Sequence, residues 1–138
     1  MRVLAIDYGT RRVGVAVSDE TATLARPLTV LAAVPRDRLL REIGRLVEEN
    51  AAGEIVVGRP RGKAGPGTLE GEVRAFAAEV GDSCRLPVIL RDESLTTAEA
   101  HERMLEAGAR KRRRRALLDA AAAAVLLQAW LDDRRRGR

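Results

Sequence analysis

Four acids at three places in the chain invite a chemical reading, because packing gives no reason for them. Asp7 ends the apolar run Val3-Leu4-Ala5-Ile6, Asp92 and Glu93 follow Leu86-Pro87-Val88-Ile89-Leu90, and Asp119 separates Ala116-Leu117-Leu118 from the apolar segment Ala120 to Leu127. A carboxylate that leaves the centre of a sheet, or sits in a helix apolar nearly all round, is costly unless a cation or hydrogen-bond donors compensate it. Two acids at strand ends and one on a packed helix make an all-oxygen donor set suited to Mg²⁺ or Mn²⁺. Such a site orients and activates water and stabilises the leaving oxygen when a phosphodiester is cleaved. Alternation along the strand lets only one of Asp92 and Glu93 point at it. Each acid also has a plainer reading: turn hydrogen bonds for Asp7, an exposed loop for Asp92 or Glu93, an ion pair with the neighbouring basic run for Asp119.

The elements that must position these acids read as β-β-β-α-β-α-β-α-α. The continuous apolar run before Asp7 is expected of a strand covered on both faces. Val13, Val15 and Val17 alternate with Gly14, Ala16 and Ser18, which predicts the return strand of a hairpin. Gly9 and Gly14 admit another backbone, a phosphate or a metal at close range. A third short strand is expected over Leu28 to Leu31. The segment Arg36 to Glu49 then places Leu39, Leu40, Ile43, Leu46 and Val47 on one helical face. Gly53 is read as its stop and Glu54 to Gly58 as a buried strand. A helix through Val73, Phe76, Ala77 and Val80 precedes the strand Leu86 to Leu90. Thr96 and Glu99 have capping-box spacing, so a helix is expected from Thr97, with His101 inside it as an exposed side chain. Three strands followed by alternating helix and strand predict an α/β protein, a mixed sheet with helices packed on it.

With 138 residues the chain is of single-domain size. One Phe, one Tyr and one Trp make base stacking on aromatic platforms an unexpected binding mode. The single cysteine, Cys84, excludes a disulfide framework and a thiolate zinc cluster. No signal-like N-terminus and no bilayer-length apolar run are present, which predicts a cytoplasmic protein without membrane association. The net charge of +5 is unevenly spread. Residues 110–138 hold ten Lys and Arg against three Asp, while the rest of the chain is slightly acidic. The run Arg110-Lys111-Arg112-Arg113-Arg114-Arg115 stands ahead of an apolar helix, where positive charge opposes the helix dipole. A polyanionic partner offsets that cost, so nucleic acid is the expected ligand. Arg134, Arg135 and Arg136 suit a helix C-terminus as well as they suit phosphate. The glycine- and proline-rich loop from Gly58 to Gly67 carries Arg59, Arg61 and Lys63 and reads as a phosphate-contacting loop or a plain connection. It lacks the GxxxxGK[ST] spacing of a nucleotide P-loop.

Asp7-Tyr8-Gly9 with Arg12 and Gly14, Val57-Gly58 with Pro60, Asp92-Glu93 with Leu95-Thr96-Thr97 and Ala100, and Asp119 with Ala121-Ala122 and Leu126-Leu127 together resemble the YqgF family, also called RuvX. The resemblance covers nearly the whole chain. It implies one RNase H-like nuclease domain over residues 1–138, a five-stranded mixed sheet with its first three strands antiparallel, flanked by helices. It implies Asp7, Glu93 and Asp119 as catalytic metal ligands and Arg12 as a phosphate or structural contact. Arg59, Arg61, Lys63, Arg112, Arg113 and Arg114 are the expected substrate-binding cations. The implied reaction is metal-dependent hydrolysis in 5′-end processing of pre-16S rRNA. The alternatives are resolution of branched DNA, which needs a homodimer rather than a monomer, and RNA binding without catalysis. Two departures from the family pattern are Ser94 in place of Arg and Arg59 in place of Leu. The Asp-x-Gly-Thr opening also resembles sugar kinases and actin-like ATPases, whose second domain this chain is too short to hold.

Overall fold

The computed structural model describes residues 1–59, 67–92 and 111–137. In chain order the elements are β1 (Arg2–Tyr8), β2 (Arg12–Ser18), β3 (Ala25–Ala32), α1 (Arg36–Glu49), β4 (Ala52–Arg59), α2 (Leu69–Cys84), β5 (Val88–Asp92) and α3 (Lys111–Arg135). The strands form one sheet in the order β3-β2-β1-β4-β5. The first three are antiparallel neighbours, and β4 and β5 run parallel to β1. The two long apolar runs lie at the sheet centre as expected: Val3 to Ile6 and Ile55 to Val57 are completely buried.

Side chains alternate between two apolar layers. Leu4, Ile6, Val13, Val15, Val17, Ile55 and Val57 face α1 and α2, where they meet Leu39, Ile43, Val73, Phe76 and Val80. Val3, Ala5, Ala16 and Val56 face α3 and meet Ala123, Leu127 and Leu131. Helix α1 spans the predicted residues, with Leu39, Ile43 and Leu46 buried. Helix α2 starts at Thr68, whose side chain accepts the Gly71 N–H at 3.1 Å, and ends at Arg85 in the left-handed region.

Three expectations are corrected. Strand β3 begins before Leu28, at Ala25, because the ladder to β2 skips a residue between Pro27 and Thr29; an edge strand accommodates a residue without an N–H at such a bulge. Gly53 does not stop α1 but lies inside β4. The stop is Asn50, whose amide and side chain both donate to Leu46 O, followed by Ala51 at φ 51°. Gly53 instead makes room for Met1, whose Sδ a Cβ there would approach to 1.9 Å. The basic run does not precede the last helix: Lys111 to Arg115 are its first residues, because Arg and Lys are good helix formers and nothing in the run breaks a helix. The helix expected from Thr97, and His101 within it, lie outside the described residues. Among those described, no helix is long and apolar enough to cross a membrane.

Candidate active site

Asp7 continues the β1 alternation Val3, Ala5 and so stands on the α3 face of the sheet. Its cross-strand partner on β2 is Gly14, and directly opposed residues share a face. A Cβ on Gly14 would lie 1.9 Å from the backbone oxygen of Asp119 and 3.0 Å from the Ala120 nitrogen. Helix α3 therefore rests directly on the β2 backbone, and it does so at Asp119. Two of the predicted acids, 112 residues apart in sequence, are thus assigned by ladder and helix to one patch of one face. Of the three occupants expected at Gly14, a backbone is the one found. Gly9 has a similar role within the β1–β2 turn, since a Cβ there would reach 2.5 Å from the Arg12 oxygen.

Asp119 is less buried than its apolar surroundings predict. Its side chain is 29% exposed, although Ala120, Ala122 and Ala123 beside it are buried. Its compensating cation is Arg12, whose Nε donates to Asp119 Oδ2 at 2.6 Å. Asp119 is thus ion-paired between α3 and β2, by Arg12; the pairing anticipated with the basic run involves side chains outside the described ones.

At the second strand end the alternation separates the two acids. Asp92 shares with Val88 and Leu90 the face toward α2, away from α3. There its Oδ1 accepts from Arg59 Nε at 2.9 Å and Nη2 at 2.6 Å. Arg59, expected in the loop, is the last residue of β4 and pairs with Asp92 in register. Glu93, Arg61 and Lys63 lie outside the described residues, while Arg112, Arg113 and Arg114 fall in the first turns of α3. Among the described residues, no group of three acids, histidines or cysteines converges. Among the described residues of this patch, Asp7 and Asp119 offer hard carboxylate oxygens, which fit a hard divalent cation.

Sequence reasoning missed the group that anchors the end of β1. Tyr8, next to Asp7, faces the opposite way and packs on Phe76 with ring centroids 4.7 Å apart. Arg36, the first residue of α1, lies 5.2 Å from the Phe76 centroid, donates to the Tyr8 hydroxyl at 3.0 Å and to Glu79 Oε2 at 2.5 Å. Burial pulls the Arg36 pKa down, but Glu79 and Tyr8 outweigh it and the net direction is up. The signal was the pairing of the only Tyr and Phe in a chain nearly free of aromatics. At the far end of α3, Arg134 pairs with Glu54 and stacks 4.8 Å from the Trp130 centroid, Arg135 pairs with Asp132 at 3.2 Å, and Arg91 with Asp133 at 2.7 Å. Arg134 and Arg135 thus lie in the last turn of α3 and are engaged with acids, which the dipole argument alone does not require.

Comparison with known proteins extends these observations. A family model described as RuvX, Holliday junction resolvase, matches residues 1–133. Relatives named "Putative pre-16S rRNA nuclease" include one from Chloroflexus aurantiacus, 39% identical over 96% of this chain and 88% of its own length. Another, from Maridesulfovibrio salexigens, is 39% identical over 95% and 98%. A third, from Mycobacteroides abscessus, is 42% identical over 98% and 83%. Among solved structures, Thermus thermophilus RuvC aligns with a TM-score of 0.60 at 17% identity, covering 99% of this chain and 97% of that one. A fowlpox virus resolvase in complex with Holliday junction DNA aligns with a TM-score of 0.60 at 12% identity, covering 96% and 98%. At those identities the likeness shows the fold, which is RNase H-like.

Proposed function

We propose, from the premise that this chain belongs to the RuvX family, that it is a divalent-metal-dependent nuclease that processes the 5′ end of precursor 16S rRNA. The observation that carries the reading is the seating of the Asp119 backbone on Gly14, the cross-strand partner of Asp7, near the carboxyl end of the central strand. Ligands of α/β sheets bind at that end. Asp92 is turned away and held by Arg59, so Glu93 is the acid of that pair that we assign to the site.

Asp7, Glu93 and Asp119 would hold Mg²⁺ or Mn²⁺. The ion, when bound, supplies Lewis acidity toward the phosphodiester and an activated water at neutral pH. The residues of the chain do the rest. The three carboxylates fix where hydrolysis occurs, and the basic first turns of α3, with Arg61 and Lys63, hold the nucleic-acid backbone through its phosphates. Cleavage of branched DNA is the second reading, supported by the family description and by the likeness to junction resolvases.

The test is incubation of wild type and Asp119→Asn with end-labelled precursor rRNA, single-stranded DNA and a four-way junction, each with Mn²⁺, Mg²⁺ or EDTA. Cleavage of the precursor rRNA that needs metal and falls by more than ~100-fold in the variant is expected, since even outer-sphere partners of a metal site are worth ~10–100-fold. Preference for the junction would move the substrate to branched DNA. Binding of RNA without cleavage by the wild type would leave a non-catalytic RNA-binding protein.

A further inference from the structure

Arg12 occupies the place where a cation is needed. It begins β2, two residues before Gly14, and so stands on the same face as Gly14 and Asp7. Its Nε engages Oδ2 of Asp119, the carboxylate that the nuclease reading gives to the metal. Guanidinium and divalent ion are both positive, so an ion held by the Asp119 carboxylate, even through its other oxygen Oδ1, is repelled by the Arg12 charge a few ångströms away. The pair is also easily opened: the Arg12 and Asp119 side chains are 42% and 29% exposed. Exposed pairs of this kind change an equilibrium by only about one- to fivefold.

We propose that Arg12 is a cationic stand-in that links metal binding to substrate binding. Without a divalent ion it neutralises Asp119. When the ion is held, Asp119 exchanges Arg12 for it, and the released guanidinium turns to a phosphate of the nucleic acid, which it suits by its planar fork of donors. The neighbouring turn residues Thr10 and Arg11 are exposed, so the released side chain opens toward solvent where a polyanion can lie. Linkage then requires that metal and nucleic acid strengthen each other's binding through this one residue. The inference rests on the metal-dependent nuclease reading and adds to it a reason for the order in which the site fills.

The experiment is a Mn²⁺ titration of wild type, Arg12→Ala and Arg12→Lys by calorimetry without nucleic acid. Binding of a labelled oligonucleotide with a non-hydrolysable backbone is then measured in EDTA and in saturating Mn²⁺. Arg12→Ala is expected to bind Mn²⁺ about two- to fivefold more tightly, as removal of a weak competing pair allows. Arg12→Lys, which keeps the charge, is expected to stay near wild type. Mn²⁺ should strengthen oligonucleotide binding by wild type, and by clearly less in Arg12→Ala. Unchanged or weaker Mn²⁺ binding in Arg12→Ala, or an undiminished gain in oligonucleotide affinity, overturns the inference and leaves the nuclease reading standing. Failure of all three proteins to bind Mn²⁺ overturns the metal-site reading itself, and this inference with it.

Discussion

The two faces of the sheet are built differently. Toward α1 and α2 the layer is made of large side chains, Leu4, Ile6, Ile55, Leu39, Ile43 and Phe76, closed at the strand ends by the Tyr8–Arg36–Glu79 group. Toward α3 the sheet offers smaller ones, Val3, Ala5, Gly14, Ala16 and Val56, and the helix answers with Ala123 near Asp119 and with Leu127 and Leu131 farther along. Bulk holds the first face. Closeness holds the second, and closeness is what brings the backbone at Asp119 onto the strand beside Asp7. The candidate chemistry lies on the face with less apolar mass, and that face is trimmed at its margins by polar contacts. Gln128 accepts from the Ala25 N–H at 2.8 Å and donates to Thr23 O at 2.9 Å, and Arg91–Asp133 and Arg134–Glu54 pin the end of the helix. One face supplies stability and the other spends it on position.

Truncation of the α1/α2 layer should have the largest effect. Phe76 is completely buried, and Phe76→Ala is expected to destabilise the fold by ~3–5 kcal/mol, the usual loss for a buried Phe. Measured by denaturant unfolding, that loss should come with residual cleavage by the folded fraction, because Asp7 and Asp119 lie on the other face. A folded but fully inactive variant would mean that the two faces are not separable in this way.

Gly14→Ala adds one methyl group and is expected to cost ~1–3 kcal/mol, since the new Cβ would stand 1.9 Å from a helix backbone oxygen that cannot rotate away. Its signature differs from that of Phe76→Ala. Helix α3 must lift, so metal-dependent cleavage should fall by more than the folded fraction does. Comparison of unfolding midpoint with specific activity for the two variants checks this, and parallel losses in both would deny α3 seating a special role.

The sheet and its order of elements were legible because hydrophobic period is a local signal: Val3 to Ile6, the Val13-Val15-Val17 alternation and the α1 stripe each declare themselves within a few residues. Boundaries set by tertiary contact were not. Nothing near Gly53 announces that Met1 will lie against it, and nothing near Leu28 says that an edge bulge will carry β3 back to Ala25. The acids were found by the same logic in reverse, as charges where a local pattern asks for none. Their partners were hidden. Arg12 meets Asp119 across 107 residues and Arg59 meets Asp92 across 33, contacts that exist only once the sheet is assembled. For the same reason the basic run suggested itself as partner to Asp119 by proximity in sequence, while the arginine found on it among the described side chains comes from β2, at the other end of the chain.

The smallest expected effect concerns the polar margin of the α3 face. Asp19, in the turn between β2 and β3, accepts from the Thr21 hydroxyl at 2.7 Å and from the Thr23 and Leu24 amides at 2.8 and 3.1 Å. These bonds, led by the Thr21 hydroxyl, hold its pKa down to about 2 from an ordinary 3.8. The sign follows from which state binds the proton more readily. A carboxylate whose folded pKa is depressed contributes its stability above the unfolded value, and loses it as pH falls from about 4 through about 2. Thr23 is also the residue whose carbonyl Gln128 grips, so loosening this turn loosens its tie to α3. Acid should therefore release protection around residues 19–25 before it releases the α1/α2 layer, whose buried contacts are mainly apolar. Hydrogen exchange between pH 4 and pH 2 reads this directly, and Asp19→Ala should remove the pH dependence of that turn while leaving β1 and β4 protected. If the turn and the layer beneath α1 and α2 open together in the same acid range, the contrast between a face held by bulk and a face held by closeness and polar trim does not describe this protein.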